Sequence, residues 1–153
     1  HMDRMEKNNT LSLFAMAATI RARANGHLTA ALARRGITDI LPAHGSVLHA
    51  LFQQSPIPMS VLAETIGRKK NTMTSLGGTL EERGYCRREA SPQDARVQLV
   101  WLTDNGKALY PLQAEISQAL LDKAWAGVPE SEKTACIRTL QRILDNLRLD
   151  DAE

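Results

Sequence analysis

The residues best suited to chemistry lie in the middle third of the chain, from Arg68 onward. Three consecutive cations, Arg68, Lys69 and Lys70, precede a run of short polar side chains. At the start of a helix these cations would meet phosphate groups, because the helix dipole already favours anions there. The polar side chains that follow are short enough to reach base edges and hydrogen-bond with them. They are Asn71, Thr72, Thr74 and Ser75.

A second cationic position lies beside a predicted turn. Ser91, Pro92 and Asp94 are all turn-forming residue types, and Arg96 follows directly after them. Narrow A·T-rich minor grooves attract arginine through their enhanced negative potential. The alternative is a salt bridge from Arg96 to Asp94 that stiffens the loop, and both interpretations can hold at once.

Positive charge is concentrated in this part of the sequence. Residues 68–96 hold seven basic and four acidic side chains, whereas the rest of the chain holds twelve and thirteen. A focused basic patch is typical of a surface that faces a polyanion. Arg87 and Arg88 fall on opposite faces of one predicted strand, so only one of them can face phosphate, and we assign Arg88 to that role.

Hydrophobic spacing predicts the elements that position these residues. A short helix beginning at its cap Ser60, a turn at Gly67 and a second helix form a helix-turn-helix, and two strands form a β-wing. The expected fold class is mainly α with a small β-wing, a winged helix-turn-helix. The predicted helices cover about 10–35, 43–53, 60–66, 70–83, 103–126 (kinked at Pro111) and 130–148.

Four short motifs occur in order along the chain. They are Leu62-Ala63-Glu64-x-Ile66-Gly67 at the turn, Met73-Thr74-x-Leu76 within the second helix, Leu80-Glu81-x-x-Gly84-Tyr85 at its end, and Asp94-x-Arg96-x-x-x-Val100-x-Leu102-Thr103 in the wing. In this order and at this spacing the chain resembles the MarR family of bacterial transcription regulators over nearly its whole length.

The resemblance implies a homodimer that binds double-stranded DNA at a pseudo-palindromic operator and represses transcription. It implies relief by a small effector, aromatic ligands included, or by thiol oxidation. Arg96 corresponds to the wing arginine of the minor groove, and Asp94 to the residue that holds it. The predicted domains are an expression scar over 1–2, a dimerisation helix over 3–36, the DNA-binding domain over 37–103 and dimerisation helices over 104–153.

The resemblance also implies an effector pocket between the dimerisation helices and the winged domain. Its candidate lining residues are Phe14, Ile40, His44, Val47 and Trp101. The alternative is that these residues belong to the core, with His44 as a helix-capping residue.

The chain departs from the family pattern in its recognition helix. Lys69 and Lys70 replace small hydroxyl residues, and Gly77-Gly78 replaces larger ones. Two glycines cost roughly 1.5–2 kcal/mol of helix propensity relative to alanine. They either loosen the helix or permit close packing against it.

Other functions find less support in the sequence. No histidine or cysteine spacing marks a metal site, and no spacing marks a catalytic triad or a phosphate loop, so we expect neither a metal, a cofactor nor catalytic residues. Cys86 and Cys136 leave a thiol-redox response as an alternative. A winged-helix interaction module without sequence preference is a further alternative. The expected location is the cytoplasm, without a membrane span.

Overall fold

The structure is a computed structural model in which residues 9–149 are described. Three predicted parts lie outside the described residues: the expression scar His1-Met2, residues 3–8 of the N-terminal dimerisation helix, and residues 150–153 of the C-terminal helices. The chain divides into two compact units, the first ending at Gln118 and the second beginning at Ala119.

The first unit contains the winged helix-turn-helix. Its helices are α1 (Leu13–Arg34), α2 (Pro42–Gln53), α3 (Met59–Ile66), α4 (Lys70–Glu82) and α5 (Asp104–Lys107), and α6 (Tyr110–Ala124) crosses the boundary between the units. The mainly α fold with a small β-wing predicted from the sequence is confirmed.

The helix-turn-helix consists of α3 and α4, joined at Gly67. Gly67 adopts φ +67°, a left-handed conformation that glycine reaches without strain, and the amide of Arg68 then donates to the carbonyl of Ala63. The prediction that Ser60 caps α3 is wrong. The helix begins one residue earlier, at Met59, with Pro58 in the cap position and no side-chain cap.

The wing is a three-stranded antiparallel sheet in the order β1-β3-β2. Its strands are β1 (Ile57–Pro58), β2 (Cys86–Ala90) and β3 (Gln98–Leu102). In the register, Ile57 is opposite Val100, and Cys86 is opposite Leu102. The sequence predicted the last two strands and missed β1, in which Ile57 lies between the helix-breaking residues Pro56 and Pro58.

The core of this unit lies beneath α4. Met73 and Leu80 of α4 are fully buried together with Leu62 of α3 and Val100 of β3. Since Met73 and Leu80 are seven residues apart, they lie on one face of α4 two turns apart. The opposite face of α4, which holds the short polar residues, is left to solvent.

Thr103 connects the end of the wing to α5 through two hydrogen bonds. Its hydroxyl donates to the carbonyl of Gly84 at 2.6 Å and accepts from the amide of Gly106 at 3.1 Å. The predicted N-cap at Thr103 is thereby confirmed. A Cβ atom at Gly106 would collide with the carbonyl oxygen of Tyr85, so this close approach requires glycine.

The single helix predicted over residues 103–126 is wrong. The structure has α5 and α6 instead, separated by Ala108 and Leu109. Pro111 therefore lies in the first turn of α6, where its missing N–H costs no helical hydrogen bond, rather than at a kink.

The second unit contains the end of α6 and the helix α7 (Glu130–Asn146). The described part of α7 buries none of its residues completely. Its apolar side chains recur at three- and four-residue spacing and stay exposed, among them Ile137, Leu140 and Leu144. Among the described residues, no helix is both long enough and apolar enough to cross a membrane.

Candidate nucleic-acid interface

The start of the recognition helix α4 is an exposed basic surface. Arg68 and Lys69 immediately precede the helix, and Lys70 is its first residue. No acidic residue lies in the first turn, so the helix dipole and the three cations add to one positive field. The backbone amides at this end need an external acceptor, and a phosphate oxygen would supply one.

The short polar side chains of α4 share its solvent face. The buried residues Met73, Gly77 and Leu80 define the opposite face. The Thr74 hydroxyl donates to the carbonyl of Lys70 at 2.9 Å, so it faces outward mainly as an acceptor. The structure brings together on one exposed surface the residues Lys70, Asn71, Thr72, Thr74 and Ser75.

Arg96 projects from the wing. Its side chain is 91% exposed, and its guanidinium forms a two-pronged pair with Asp94, Nε to Oδ1 at 3.1 Å and Nη2 to Oδ2 at 3.2 Å. The backbone amide of Arg96 donates to the same Oδ1 at 3.0 Å. The hydrogen bonds from the Arg96 side chain and then from its amide lower the pKa of Asp94. The salt bridge expected from the sequence is confirmed, and it leaves the guanidinium accessible.

Hydrogen bonds within the wing turn order the backbone of the loop that carries Arg96. The amide of Ser91 donates to the carbonyl of Val97 at 2.7 Å and closes the loop. The Ser91 hydroxyl donates to Oε1 of Gln93 at 3.0 Å. The loop that carries Arg96 is therefore ordered by its own polar groups.

Arg88, predicted to face phosphate, lies against the recognition helix. Its guanidinium pairs with Glu81 at 3.2 Å, and its backbone amide donates to the second carboxylate oxygen of Glu81 at 2.8 Å. This backbone hydrogen bond is the main cause of a lowered pKa of Glu81. A phosphate contact by Arg88 stays a prediction.

The ion pair between Glu81 and Arg88 was not predicted from the sequence. A usable signal was present in the alternation of β2, because Arg88 lies on the same strand face as the buried Cys86. That face points toward the helices. Arg87, on the other face, places its guanidinium 4.9 Å from the ring centre of Trp101, a cation–π contact.

The predicted effector-lining residues occupy different environments. Ile40 and Val47 are buried in the core cluster. His44 is also buried, and its Nδ1 accepts from the amide of Leu41 at 2.9 Å, so the predicted capping role is confirmed. Burial, and next the charge of Arg83, lower the pKa of His44.

The other two predicted lining residues lie outside the core. Phe14 on α1 is exposed, and Trp101 is half-buried, with an indole N–H that has no partner among the described residues. Whether these five residues line an effector pocket stays a prediction.

The two cysteines differ sharply in accessibility. Cys86 is buried, and burial, together with the nearby charge of Glu81, raises the pKa of its thiol to about 12. A redox-sensing thiol needs the opposite, an exposed group with a lowered pKa. Cys136 on α7 is exposed. Across residues 9–149, no three histidine, cysteine, aspartate or glutamate side chains are grouped so that they could hold a metal ion.

A helix-turn-helix with a basic helix start, combined with an arginine-tipped wing, defines the winged helix class of DNA-binding proteins. Residues 41–97 match the sequence model of the MarR family. This part of the chain, 57 of its 153 residues, therefore has the sequence of a MarR-family domain.

Individual relatives agree with this assignment. The chain is 28% identical over 103 residues to an uncharacterized HTH-type transcriptional regulator, YwaE, of Bacillus subtilis, covering 67% of this chain and 60% of that relative's length. A MarR-family regulator from Silicibacter pomeroyi is similar in structure, with a TM-score of 0.75, 25% identity and coverage of 89% and 90%. CouR from Rhodococcus jostii, solved with p-coumaroyl-CoA bound, has a TM-score of 0.75, 24% identity and coverage of 88% and 93%.

Proposed function

We propose that this chain is a repressor that binds an operator duplex through two neighbouring grooves. The exposed face of α4 enters the major groove, and Arg96 enters the adjacent minor groove. The observation that carries the proposal is the shared exposure of the α4 polar residues and the Arg96 guanidinium on one unit. The contact set comprises Arg68, Lys69, Lys70, Asn71, Thr72, Thr74, Ser75 and Arg96, with Asp94 as the residue that orients Arg96. We omit Arg88, because its guanidinium is already hydrogen-bonded to Glu81.

We propose further that two copies of the chain act together. Apolar side chains on α1 and α7 are exposed, including Phe14, Ile20 and Leu144. Burying each such side chain stabilises a complex by about 1.5–3 kcal/mol, so a second copy is the simplest cover for them. Two recognition helices about 34 Å apart would then read a pseudo-palindrome. The domain assignment of residues 3–36 and 104–153 to dimerisation forms part of this proposal.

A small effector is the proposed signal that releases the DNA. CouR was solved with p-coumaroyl-CoA, an aromatic thioester, and it is similar in fold to this chain. The half-buried Trp101, whose indole N–H is without a partner among the described residues, is the predicted lining residue that favours an effector site. We propose relief by a small aromatic ligand in preference to a response of Cys86, whose thiol is buried. The proposed location is the cytoplasm, with no enzymatic activity.

The decisive experiment selects duplexes from a random-sequence library with the wild-type chain and then measures affinity as a function of salt. We expect a pseudo-palindromic product and a steep loss of affinity with rising salt, since each neutralised phosphate releases counterions. Arg96→Ala should weaken binding of the selected duplex about tenfold and leave folding intact. Arg21→Ala, which removes the same charge from α1, should have little effect.

Selection of no sequence, with equal affinity for all duplexes, would favour a winged-helix module without sequence preference. Wild-type affinity of the Arg96→Ala variant would remove the wing from the contact set.

A further inference from the structure

The side chain of Arg88 spans from the wing to the recognition helix. Its Nε and Nη2 donate to Oε1 of Glu81 at 3.4 and 3.2 Å, and its Nη1 donates to the carbonyl of Thr74 at 3.4 Å. Its backbone amide donates to Oε2 of Glu81 at 2.8 Å. Since Thr74 and Glu81 lie about two turns apart, Arg88 of β2 forms hydrogen bonds with α4 at two points along the helix.

Gly77 and Gly78 provide the surface on which this side chain lies. A Cβ atom at Gly77 would be 3.6 Å from Cδ of Arg88, and one at Gly78 would be 3.6 Å from Nη2. Alanine would still make ordinary contact there, but a longer side chain at Gly78 would occupy the place of the guanidinium. The pair of glycines thus permits close packing of the wing strand on the helix, one of the two outcomes considered from the sequence.

The guanidinium of Arg88 is poorly placed to be a phosphate ligand. Nε, Nη1 and Nη2 all donate within the protein, and the charge of Glu81 offsets its own. Its side chain is 25% exposed, against 91% for Arg96. The wing turn begins only three residues after Arg88, at Ser91, so whatever fixes Arg88 also fixes the base of the loop that carries Arg96.

We propose that Arg88 and Glu81, seated across Gly77-Gly78, form a brace that sets the angle between the recognition helix and the wing. Arg88 is a positioning residue in this scheme. The brace lets the polar face of α4 and the guanidinium of Arg96 reach neighbouring grooves at the same time. The inference rests on the proposed DNA-binding function and adds to it a source of specificity that touches no nucleotide.

The test exploits the difference between arginine and lysine. Lysine keeps the positive charge that a phosphate contact needs, but it cannot form the forked pair that the brace needs. The variants are Arg88→Lys, Arg88→Ala and Glu81→Gln. The control is Glu82→Gln, which removes the same charge one residue further along α4. The probes are the duplex selected by the wild-type chain and an unrelated duplex, each measured over a salt series.

We expect Arg88→Lys and Glu81→Gln each to weaken binding of the selected duplex about tenfold, while the salt slope and the affinity for the unrelated duplex stay at wild-type values. The double variant should lose no more than either single variant, because both remove one shared interaction. Glu82→Gln should bind as wild type. Wild-type binding by Arg88→Lys, or a salt slope reduced by about one in Arg88→Ala, would overturn the brace and make Arg88 a phosphate ligand.

A measurement without DNA separates failure of the brace from failure of the proposed function. Amide hydrogen exchange on the free protein should be faster at Arg88 and along α4 in Glu81→Gln than in Glu82→Gln. Equal exchange in the two variants would overturn the brace even if a duplex is selected. Faster exchange in Glu81→Gln would support the brace as a structural device even if the wild-type chain selects no duplex.

Gly78→Leu provides a second route that keeps both partners of the brace. The leucine side chain should displace the guanidinium and reproduce the tenfold loss, whereas Gly78→Ala should bind as wild type. Thermal unfolding followed by circular dichroism confirms that each variant is folded. Wild-type binding by a folded Gly78→Leu variant would also overturn the proposal.

Discussion

At the scale of single residues, the hold of Asp94 on Arg96 makes a prediction about pH. Hydrogen bonds from Arg96 lower the pKa of Asp94, so the carboxylate stays ionised as the pH falls through its ordinary value of about 4. The salt bridge between Asp94 and Arg96 is therefore fully present above the ordinary pKa of the carboxyl group. It is lost only as the pH falls through the lowered pKa of Asp94. Arg96→Ala should raise the pKa of Asp94 toward its ordinary value, because it removes the guanidinium and leaves only the hydrogen bond from the backbone amide of residue 96; NMR titration of the carboxyl carbon measures this change. An identical titration in the two proteins would show that the pair does not persist in solution.

Cys86 makes a second prediction at this scale. With a pKa of about 12, its thiol is ionised in roughly one molecule in ten thousand at about pH 8. In a Cys136→Ser variant, which isolates Cys86, a thiol reagent should label the native protein very slowly and the urea-unfolded protein rapidly. The rate is followed by mass spectrometry. Rapid labelling of the native variant would restore Cys86 as a candidate redox sensor.

At the scale of elements, two glycines of the helix-turn-helix should respond oppositely to the same substitution. Gly78 lies within α4, where alanine has room and gains helix propensity, so Gly78→Ala should raise the free energy of unfolding by about 0.5–1 kcal/mol. Gly67 has φ +67°, so Gly67→Ala should lower the free energy of unfolding by about 1–2 kcal/mol. Urea titration measures both values. A change of the same sign in both variants would contradict the assigned backbone conformations.

Local signals explain which elements the sequence predicted. The motif from Leu62 to Gly67 combines apolar helical spacing with a glycine stop, and the turn from Ser91 to Asp94 is rich in turn formers. The helix-turn-helix and the wing could therefore be predicted. The break between α5 and α6 could not be predicted, because Ala108 and Leu109 are good helix formers. That break accompanies the close packing of Gly106 on Tyr85, a contact between residues distant in sequence.

The same distinction between local signals and tertiary contacts applies to the candidate site. Exposure of the polar face of α4 and the salt bridge at Arg96 depend on neighbours in sequence, and both were predicted. The alternation of β2 indicates which face Arg88 occupies, but its partner Glu81 depends on the packing of β2 against α4, a tertiary contact. The sequence therefore identified a pair of adjacent arginines but assigned one of them without knowledge of Glu81.

At the scale of the whole molecule, the exposed apolar stripe of α7 predicts self-association. Leu144 is 64% exposed in the single chain. Leu144→Glu should shift the protein toward monomers in sedimentation equilibrium, because burying the carboxylate without a partner is costly. Val61→Glu, at an exposed apolar position on α3, is the matched control and should leave the association unchanged. Equal association of wild type and Leu144→Glu would remove α7 from the interface.

The stripe of α7 has a consequence for the life of the protein in a cell. In the proposed dimer, the fraction of chains whose α7 is covered by a second copy rises with protein concentration, since mass action governs the association. At low protein concentration, the chains would then unfold and be degraded sooner than at high concentration. The amount of the proposed dimeric regulator would then fall more steeply than its rate of synthesis, which would make the change in transcription more abrupt.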